Sequence, residues 1–518
     1  MAIVLVTMIA ASASAQVASL TAPGTPPIIA NPSGLHLRVE DLPRPKVFVT
    51  QHQTTILGQK LVYTATAGET YITNMTGEPI ASFFSFAYVK GGQPDPRRPV
   101  LFVFNGGPGA ASSWLHLGAL GPKRVVLDQE VNPRNIPPFG LADNPNSPLD
   151  VADIVFIDPV GTGFSHAVGR AQDADFAGTD VDADSVARFI EQWLIQNGRY
   201  NSPKFVLGES YGTVRASILP RALMGGVNYS GVMRGITLNG VILVSPSING
   251  GALPMPAGEV DRSVGAVLPT MAITALYHKT IPADGRTMKG LFDDVASFAK
   301  TEYAEAIAAE KRGQLSEADR LRIAQKLSAY TGLPAQAWID NRLQISAPAY
   351  LKLPLRDRGL EVGGYDSRYT LSSANDLGDV VADDAAMTQY VPGFVAAFQD
   401  LLHDDLKVSM PAPYKPIVWE GIYSKWNRER AGVPLGQTPA NDLATAMRRQ
   451  PHMRIMIAMG YYDLYAAPAG IPFQVERGNI PQDRVGYRLY ESGHMLYLGD
   501  TAAKFSEDVR DFIITNAK

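Results

Sequence analysis

Apolar residues in this chain fall into two kinds of run. Short unbroken ones recur at 100–104, 154–157, 205–207, 241–244 and 455–458, with a mixed run at 485–490. A strand that is apolar at every position has both faces covered, as in a parallel sheet packed between helices. Other stretches carry a helical period. Over 182–197, Val186, Phe189, Ile190, Trp193 and Leu194 stand at i, i+3, i+4, i+7 and i+8 on one face, and Gly198 supplies the stop. Ahead of this alternation, 61–66 and 81–89 are β-type runs divided by glycine-containing turns, an antiparallel entry to the sheet. Strand–helix alternation predicts an α/β fold with a mostly parallel central sheet.

The rhythm breaks between 251 and 437. That segment has helical patterns over 286–310, over 316–330 (opened by Ser316 and closed by Gly332-Leu333-Pro334) and over 384–403. Strands resume after it, so it reads as a large, mainly helical cap insertion between two parts of one core, 46–250 and 438–518. Residues 16–45 hold Pro23, Pro26, Pro27, Pro32 and Pro43 and read as an extended leader. The first fifteen residues are apolar and end in Ala13-Ser14-Ala15, an A-x-A-like cleavage site before Gln16. This predicts a signal peptide over 1–15 and a periplasmic or secreted protein. The stretch is too short to span a membrane, which takes about 20 apolar residues, and no other stretch is long enough.

Composition narrows the chemistry. Of 518 residues, 46% are hydrophobic and 19% charged, which excludes a disordered chain. A formal net charge of −4 without Lys/Arg runs gives no footprint for nucleic acid. Cysteine is absent, which removes thiol catalysis, disulfides, iron–sulfur clusters and cysteine zinc sites, and leans toward a bacterial periplasm. No H-E-x-x-H or carboxylate cluster suggests a metal, and no cofactor is expected.

The sharpest local feature is Gly208-Glu209-Ser210-Tyr211-Gly212, which follows an apolar strand and precedes a helix. This is the G-x-S-x-G turn in its required context, the nucleophile elbow of α/β-hydrolases. The turn is so tight that the positions two before and two after the serine must be small. The hydroxyl then stands at a helix N-terminus, where free N–H groups can stabilise an oxyanion. Serine needs a base, and in this fold the chain order is Ser, acid, His. Of the histidines after Ser210, His403 sits in a polar helix end, His278 in a cap helix and His452 before a strand. His494 directly follows the run 485–490, and Gly493 permits the tight loop. Asp463, in Gly460-Tyr461-Tyr462-Asp463, is the only carboxylate just after 453–459 and would orient the imidazole. Asn105-Gly106-Gly107-Pro108-Gly109 follows the strand 100–104; its exposed N–H groups are the other half of an oxyanion hole. No G-K-[ST] follows, so it is not a phosphate loop.

With these blocks in this order, the sequence resembles the serine carboxypeptidase family (peptidase family S10), in a bacterial-type form. Asn105 to Ser113 is similar to the family's N-G-G-P-G-x-x-S-S block, and Asp158 to Ser165 to its D-x-P-x-G-x-G-[FY]-S block. Gly208 to Gly212 resembles its G-E-S-Y-x-G region, and Gly493-His494-Met495 its G-H-M block. The resemblance covers about 95–250 and 450–500 and leaves the cap unmatched. It implies a Ser210–His494–Asp463 triad, an oxyanion hole from the backbone N–H groups of Tyr211, Gly106 and Gly107, and Asn105 and Glu209 as readers of a C-terminal carboxylate. The implied substrate is a peptide with a free C-terminus, and the implied activity is release of its last amino acid. An esterase or acyltransferase on the same triad is the alternative. Three departures stand out. No second glutamate precedes Gly121-Pro122, where His116 is nearby as a packed or solvated residue. Ala110 replaces the family's cysteine. The acid loop lacks an acidic residue between Gly460 and Asp463.

Overall fold

The central sheet begins as an antiparallel meander and continues as a parallel sheet. In the computed structural model, residues 37–91, 95–226, 231–249, 260–261, 263–430 and 437–517 are described. The expected signal peptide, 1–15, and the leader as far as residue 36 lie outside them. The strands are β1 (Val47–Ile56), β2 (Gln59–Thr73), β3 (Pro79–Lys90), β4 (Val100–Phe104), β5 (Asp153–Ile157), β6 (Lys204–Glu209), β7 (Gly240–Val244), β8 (Arg454–Gly460) and β9 (Val485–Tyr490). Side by side they run β1-β2-β3-β5-β4-β6-β7-β8-β9, with a short strand at His166–Ala167 added to β3. Pairing is antiparallel from β1 to β5 and parallel from β5 to β9. The order reverses around β4, so a crevice opens beyond the carboxyl ends of β4 and β6, where open α/β sheets place ligands.

The all-apolar strands are covered on both faces. In β4, Val100, Phe102 and Phe104 enter one core cluster and Leu101 and Val103 the other. Helices α1 (Thr179–Gln196) and α2 (Gly212–Met224), together with Pro439–Arg449, cover the first face; Thr501–Asn516 helps to cover the second. On α1 the side chains of Val186, Phe189, Ile190 and Leu194 are completely buried, each contributing about 1.5–3 kcal/mol.

The segment after β7 carries α3 (Leu268–Tyr277), α4 (Met288–Phe298), α5 (Glu317–Thr331) and α6 (Met387–Asp400). Ser316 caps α5 through its side chain and Gly332, at φ +73°, ends it. The helix expected over 286–310 is not uniform: one π-helical turn, Ala299–Tyr303, separates α4 from Ala304–Lys311. A second π turn, Leu401–Asp405, extends α6. A small hairpin, Leu360–Val362 with Thr370–Ser372, interrupts the helices; its three-residue strands are too short to show a period. This segment has its own core around Met271, Val295, Leu327 and Trp338, and that core takes in Tyr461, Tyr462 and Leu464 of the loop after β8. Among the described residues no helix is long and apolar enough to cross a membrane.

Candidate active site

β6 ends at Glu209 and α2 begins at Gly212, which leaves Ser210 on the turn between them at φ +57°. A left-handed conformation at a residue with a Cβ costs roughly 1–2 kcal/mol. It is held here by neighbours, including the Ser210 N–H that donates to Val244 O at 2.9 Å. The flanking glycines are demanded by close approach. A Cβ on Gly208 would stand 2.2 Å from Gly212 O, and one on Gly212 would stand 2.8 Å from Asn105 O. A Cβ on Gly106 would lie 2.5 Å from Tyr211 N. The Gly106-Gly107 turn after β4 and the Tyr211 N–H opening α2 therefore lie side by side, as two halves of an oxyanion hole must.

The candidate base and acid, His494 and Asp463, come from the loops after β9 and β8. His494 Nδ1 donates to Asp463 Oδ2 at 2.7 Å, while Asp463 Oδ1 accepts the N–H groups of Tyr465 (2.9 Å) and Ala466 (2.8 Å). A carboxylate only accepts, so the proton is on Nδ1 and Nε2 is free to act as a base. His494 Nε2 is buried and has no hydrogen-bond partner among the described residues. The two loops touch at Gly460, where a Cβ would fall 1.9 Å from Gly493 O. Burial alone pushes the imidazole pKa down; the Asp463 carboxylate, with smaller contributions from Glu209 and Asp384, outweighs it, and the net direction is up.

Glu209 is buried beside Ser210. Burial is the main cause that lifts its pKa to about 7; His494 and the Tyr497 hydroxyl oppose the rise, Asp463 adds to it, and Asn105 opposes it. Asn105 Oδ1 accepts the Leu115 N–H at 3.1 Å, so its amide nitrogen is the half that meets Glu209. Asn105, Gly106, Gly107, Glu209, Ser210 and His494 all line one cavity, with Asp463 behind His494. Trp114, Met387, Ile417, Trp419 and Met495 complete its apolar walls. His116 stands apart from it. Its Nε2 pairs with the Tyr88 hydroxyl at 2.6 Å, its ring stacks on Phe156 at 4.1 Å, and burial lowers its pKa to about 3. It is a neutral, packed histidine and no substitute for a second glutamate. His278, in turn, is tied to Ser367 O at 2.7 Å.

Four supporting residues had no local signature. Ser245, at φ +46°, donates its hydroxyl to His494 O at 2.7 Å. Tyr365 accepts the His494 N–H at 2.6 Å through its carbonyl and sets its ring edge-on to the imidazole. Asp182 and Arg215 form a buried pair (2.8 and 3.1 Å), and Arg215 also donates to Asn105 O at 2.9 Å, which fixes the end of β4 against α2. Their partners lie tens of residues away in sequence, so only the Gly363-Gly364 pair beside Tyr365 could have drawn attention. Asp182→Ala strands the Arg215 guanidinium in the interior and is expected to cost about 3–5 kcal/mol, read from urea unfolding. A loss under 1 kcal/mol would show that the pair does not hold this junction.

Sheet order, the elbow at Ser210 and the late-strand histidine define an α/β-hydrolase fold. Parts of the chain are similar to known proteins. The model of the family described as serine carboxypeptidase matches residues 66–252. That stretch holds Asn105, Gly106, Gly107, Glu209, Ser210 and Tyr211 and ends before Asp463 and His494. Serine carboxypeptidase-like 36 of Arabidopsis thaliana is 28% identical over 174 residues, 33% of this chain and 33% of that protein. Carboxypeptidase Y homolog A of Ajellomyces dermatitidis is 30% identical over 172 residues, 32% of this chain and 28% of that one. The chain thus spans about a third of the length of these curated relatives. Among solved structures, proline iminopeptidase of Mycobacterium smegmatis aligns over 87% of this chain and 98% of its own, at 14% identity and a TM-score of 0.34.

Proposed function

We propose that this protein is a serine carboxypeptidase that removes the last amino acid of a peptide through an acyl-enzyme. One observation carries the reading. The cavity that holds Ser210 and His494 also holds a buried amide, Asn105, and a carboxyl, Glu209, whose pKa is raised to about 7. A carboxyl that keeps its proton can donate to the carboxylate at the end of a peptide, and that carboxylate would bind there only against a neutral partner.

In this reading the reaction has two halves. Ser210 Oγ attacks the last peptide carbonyl while His494 Nε2 takes its proton. The oxyanion lies against the N–H groups of Tyr211 and the Gly106-Gly107 turn. The C–N bond breaks, and the departing amine takes the proton from Nε2, leaving the acyl-serine. Water repeats the sequence, and the shortened peptide leaves with its new carboxylate. Asp463 holds Nδ1–H and balances the imidazolium.

The test compares an N-blocked dipeptide with its C-terminal amide across pH. Glu209 is protonated below about 7, so kcat/KM for the free acid is expected to fall as pH rises through about 7, and to fall again on the acid side as His494, whose pKa is raised, takes up a proton. The amide lacks the charge and should be a poor substrate without that fall. Glu209→Gln, always neutral and a donor, is expected to abolish the alkaline fall. Because Glu209 is already neutral in the productive form, the acid limb set by His494 should stay where it is. An unchanged alkaline limb in Glu209→Gln would mean that another group reads the carboxylate. Equal or no turnover of acid and amide would remove the carboxypeptidase reading, and no turnover with ester hydrolysis intact would move the protein to the esterases or acyltransferases.

A further inference from the structure

One carboxylate from the insertion joins the cavity wall to the loops of the catalytic acid and base. Asp384 is buried, and its two oxygens take four backbone N–H groups. Oδ2 accepts from Gly364 (2.6 Å) and Tyr365 (3.4 Å); Oδ1 accepts from Ala386 (3.0 Å) and Met387 (3.1 Å).

The first arm reaches the triad. Gly364 O accepts the N–H of Leu464, the residue after Asp463, at 3.1 Å, and Tyr365 O accepts the N–H of His494 at 2.6 Å. There is no slack in this contact. A Cβ on Gly364 would lie 2.3 Å from the Tyr465 ring, and one on Gly493 would lie 2.4 Å from Tyr365 O. The second arm reaches the substrate. Ala386 and Met387 open α6, and Met387 lines the cavity with Val381 and Tyr365.

We propose that Asp384 is a positioning residue of the reaction, which locks the Met387 wall of the cavity to the segment that holds Asp463 and His494 in register. It touches no reacting atom; it acts through Gly364 and Tyr365. The consequence is that the insertion helps to set the geometry of the base. The choice of peptide substrate in the test rests on the carboxypeptidase reading, but the arrangement around Asp384 does not.

A charge effect accompanies the mechanical one. The titratable groups around Asp384 are Glu361 from the hairpin, Tyr365, Tyr390 on α6, Tyr465 on the acid loop and His494. His494 itself faces Asp463, Glu209 and Asp384, all of which raise its pKa. Removing the Asp384 charge should therefore lower the pKa of the base.

Two variants separate this role from a structural one. Asp384→Ser keeps an acceptor for the N–H groups two and three residues on, as serine turns do, but is an atom too short to hold Gly364 and Tyr365 as well. Asp384→Asn keeps the size and removes the charge. Each is quantified by its fluorophosphonate-reactive sites, so that only competent molecules count. Both are expected to react with the probe more slowly and to lose about tenfold to a hundredfold in kcat per site, with the acid limb of kcat/KM at lower pH. Wild-type labelling rate, kcat and acid limb per site in either folded variant would overturn the proposal. If the wild-type protein labels but leaves N-blocked dipeptides intact, the carboxypeptidase reading fails. The labelling rates of the variants then still decide the role of Asp384.

Discussion

Ser210→Ala is expected to take up no fluorophosphonate and to lose about 10⁴–10⁶-fold in turnover of an N-blocked dipeptide, while unfolding at nearly the wild-type denaturant concentration. The stability follows from the backbone. Alanine also has a Cβ, so the φ of +57° is neither relieved nor worsened, and only the hydroxyl of a cavity-lining residue is removed. Asp463→Asn should cost about 10⁴-fold for a different reason. Asp463 Oδ1 is already claimed by the N–H groups of Tyr465 and Ala466. In the amide, the oxygen must stay with those two donors, so the NH2 is turned toward His494 Nδ1. Nδ1 then has to accept, the proton moves to Nε2, and the base is lost without any change of shape. Single-turnover labelling at fixed pH distinguishes the two variants: Ser210→Ala gives none, and Asp463→Asn gives slow but complete reaction. Substantial labelling of Ser210→Ala would place the nucleophile elsewhere and sink the assignment.

The parts of this site legible in the sequence are those dictated by short-range sterics. Ser210 stood out because an elbow needs glycine at 208 and 212, and the structure shows the backbone oxygens that a Cβ would strike there. His494 and Asp463 stood out because each directly follows a late strand, in the chain order Ser, acid, His. The core strands were visible because β4 to β8 are buried on both faces, a pattern independent of their partners. What could not be read comes from contacts between distant segments. Tyr365 O reaches His494 across more than a hundred residues of chain, and Asp182 pairs with Arg215 from another helix. The insertion's helices showed their periods, but the π turns at Ala299–Tyr303 and Leu401–Asp405 did not, since one extra residue in a turn leaves the surrounding apolar pattern almost intact. The tie between the segment after β7 and the loops of Asp463 and His494 includes backbone hydrogen bonds, which have no sequence signature.

Gly106→Ala carries the other large expected effect, because it perturbs the oxyanion hole without removing a triad side chain. Gly106 is not in the left-handed region, so alanine is compatible with its backbone. The obstacle is space: the new methyl would lie 2.5 Å from Tyr211 N, 2.6 Å from Glu209 O and 2.8 Å from Gly212 N. All three are backbone atoms of the elbow and cannot swing aside as a side-chain tip can. The two halves of the hole must part by several tenths of an ångström, and one N–H then points past the oxyanion. Losing one such donor costs about 10²–10³-fold in kcat. The fall should be shared by peptide and ester substrates, because both pass through the same tetrahedral oxyanion, with KM changing much less. Gly198→Ala is the matched control. At φ +65°, with nothing within 4 Å of the added methyl, it should cost about 1–2 kcal/mol of stability from backbone strain and leave kcat alone. If folded Gly106→Ala keeps wild-type kcat on both substrates, the Gly106-Gly107 turn does not form the hole, and the Tyr211 N–H must work with a different donor.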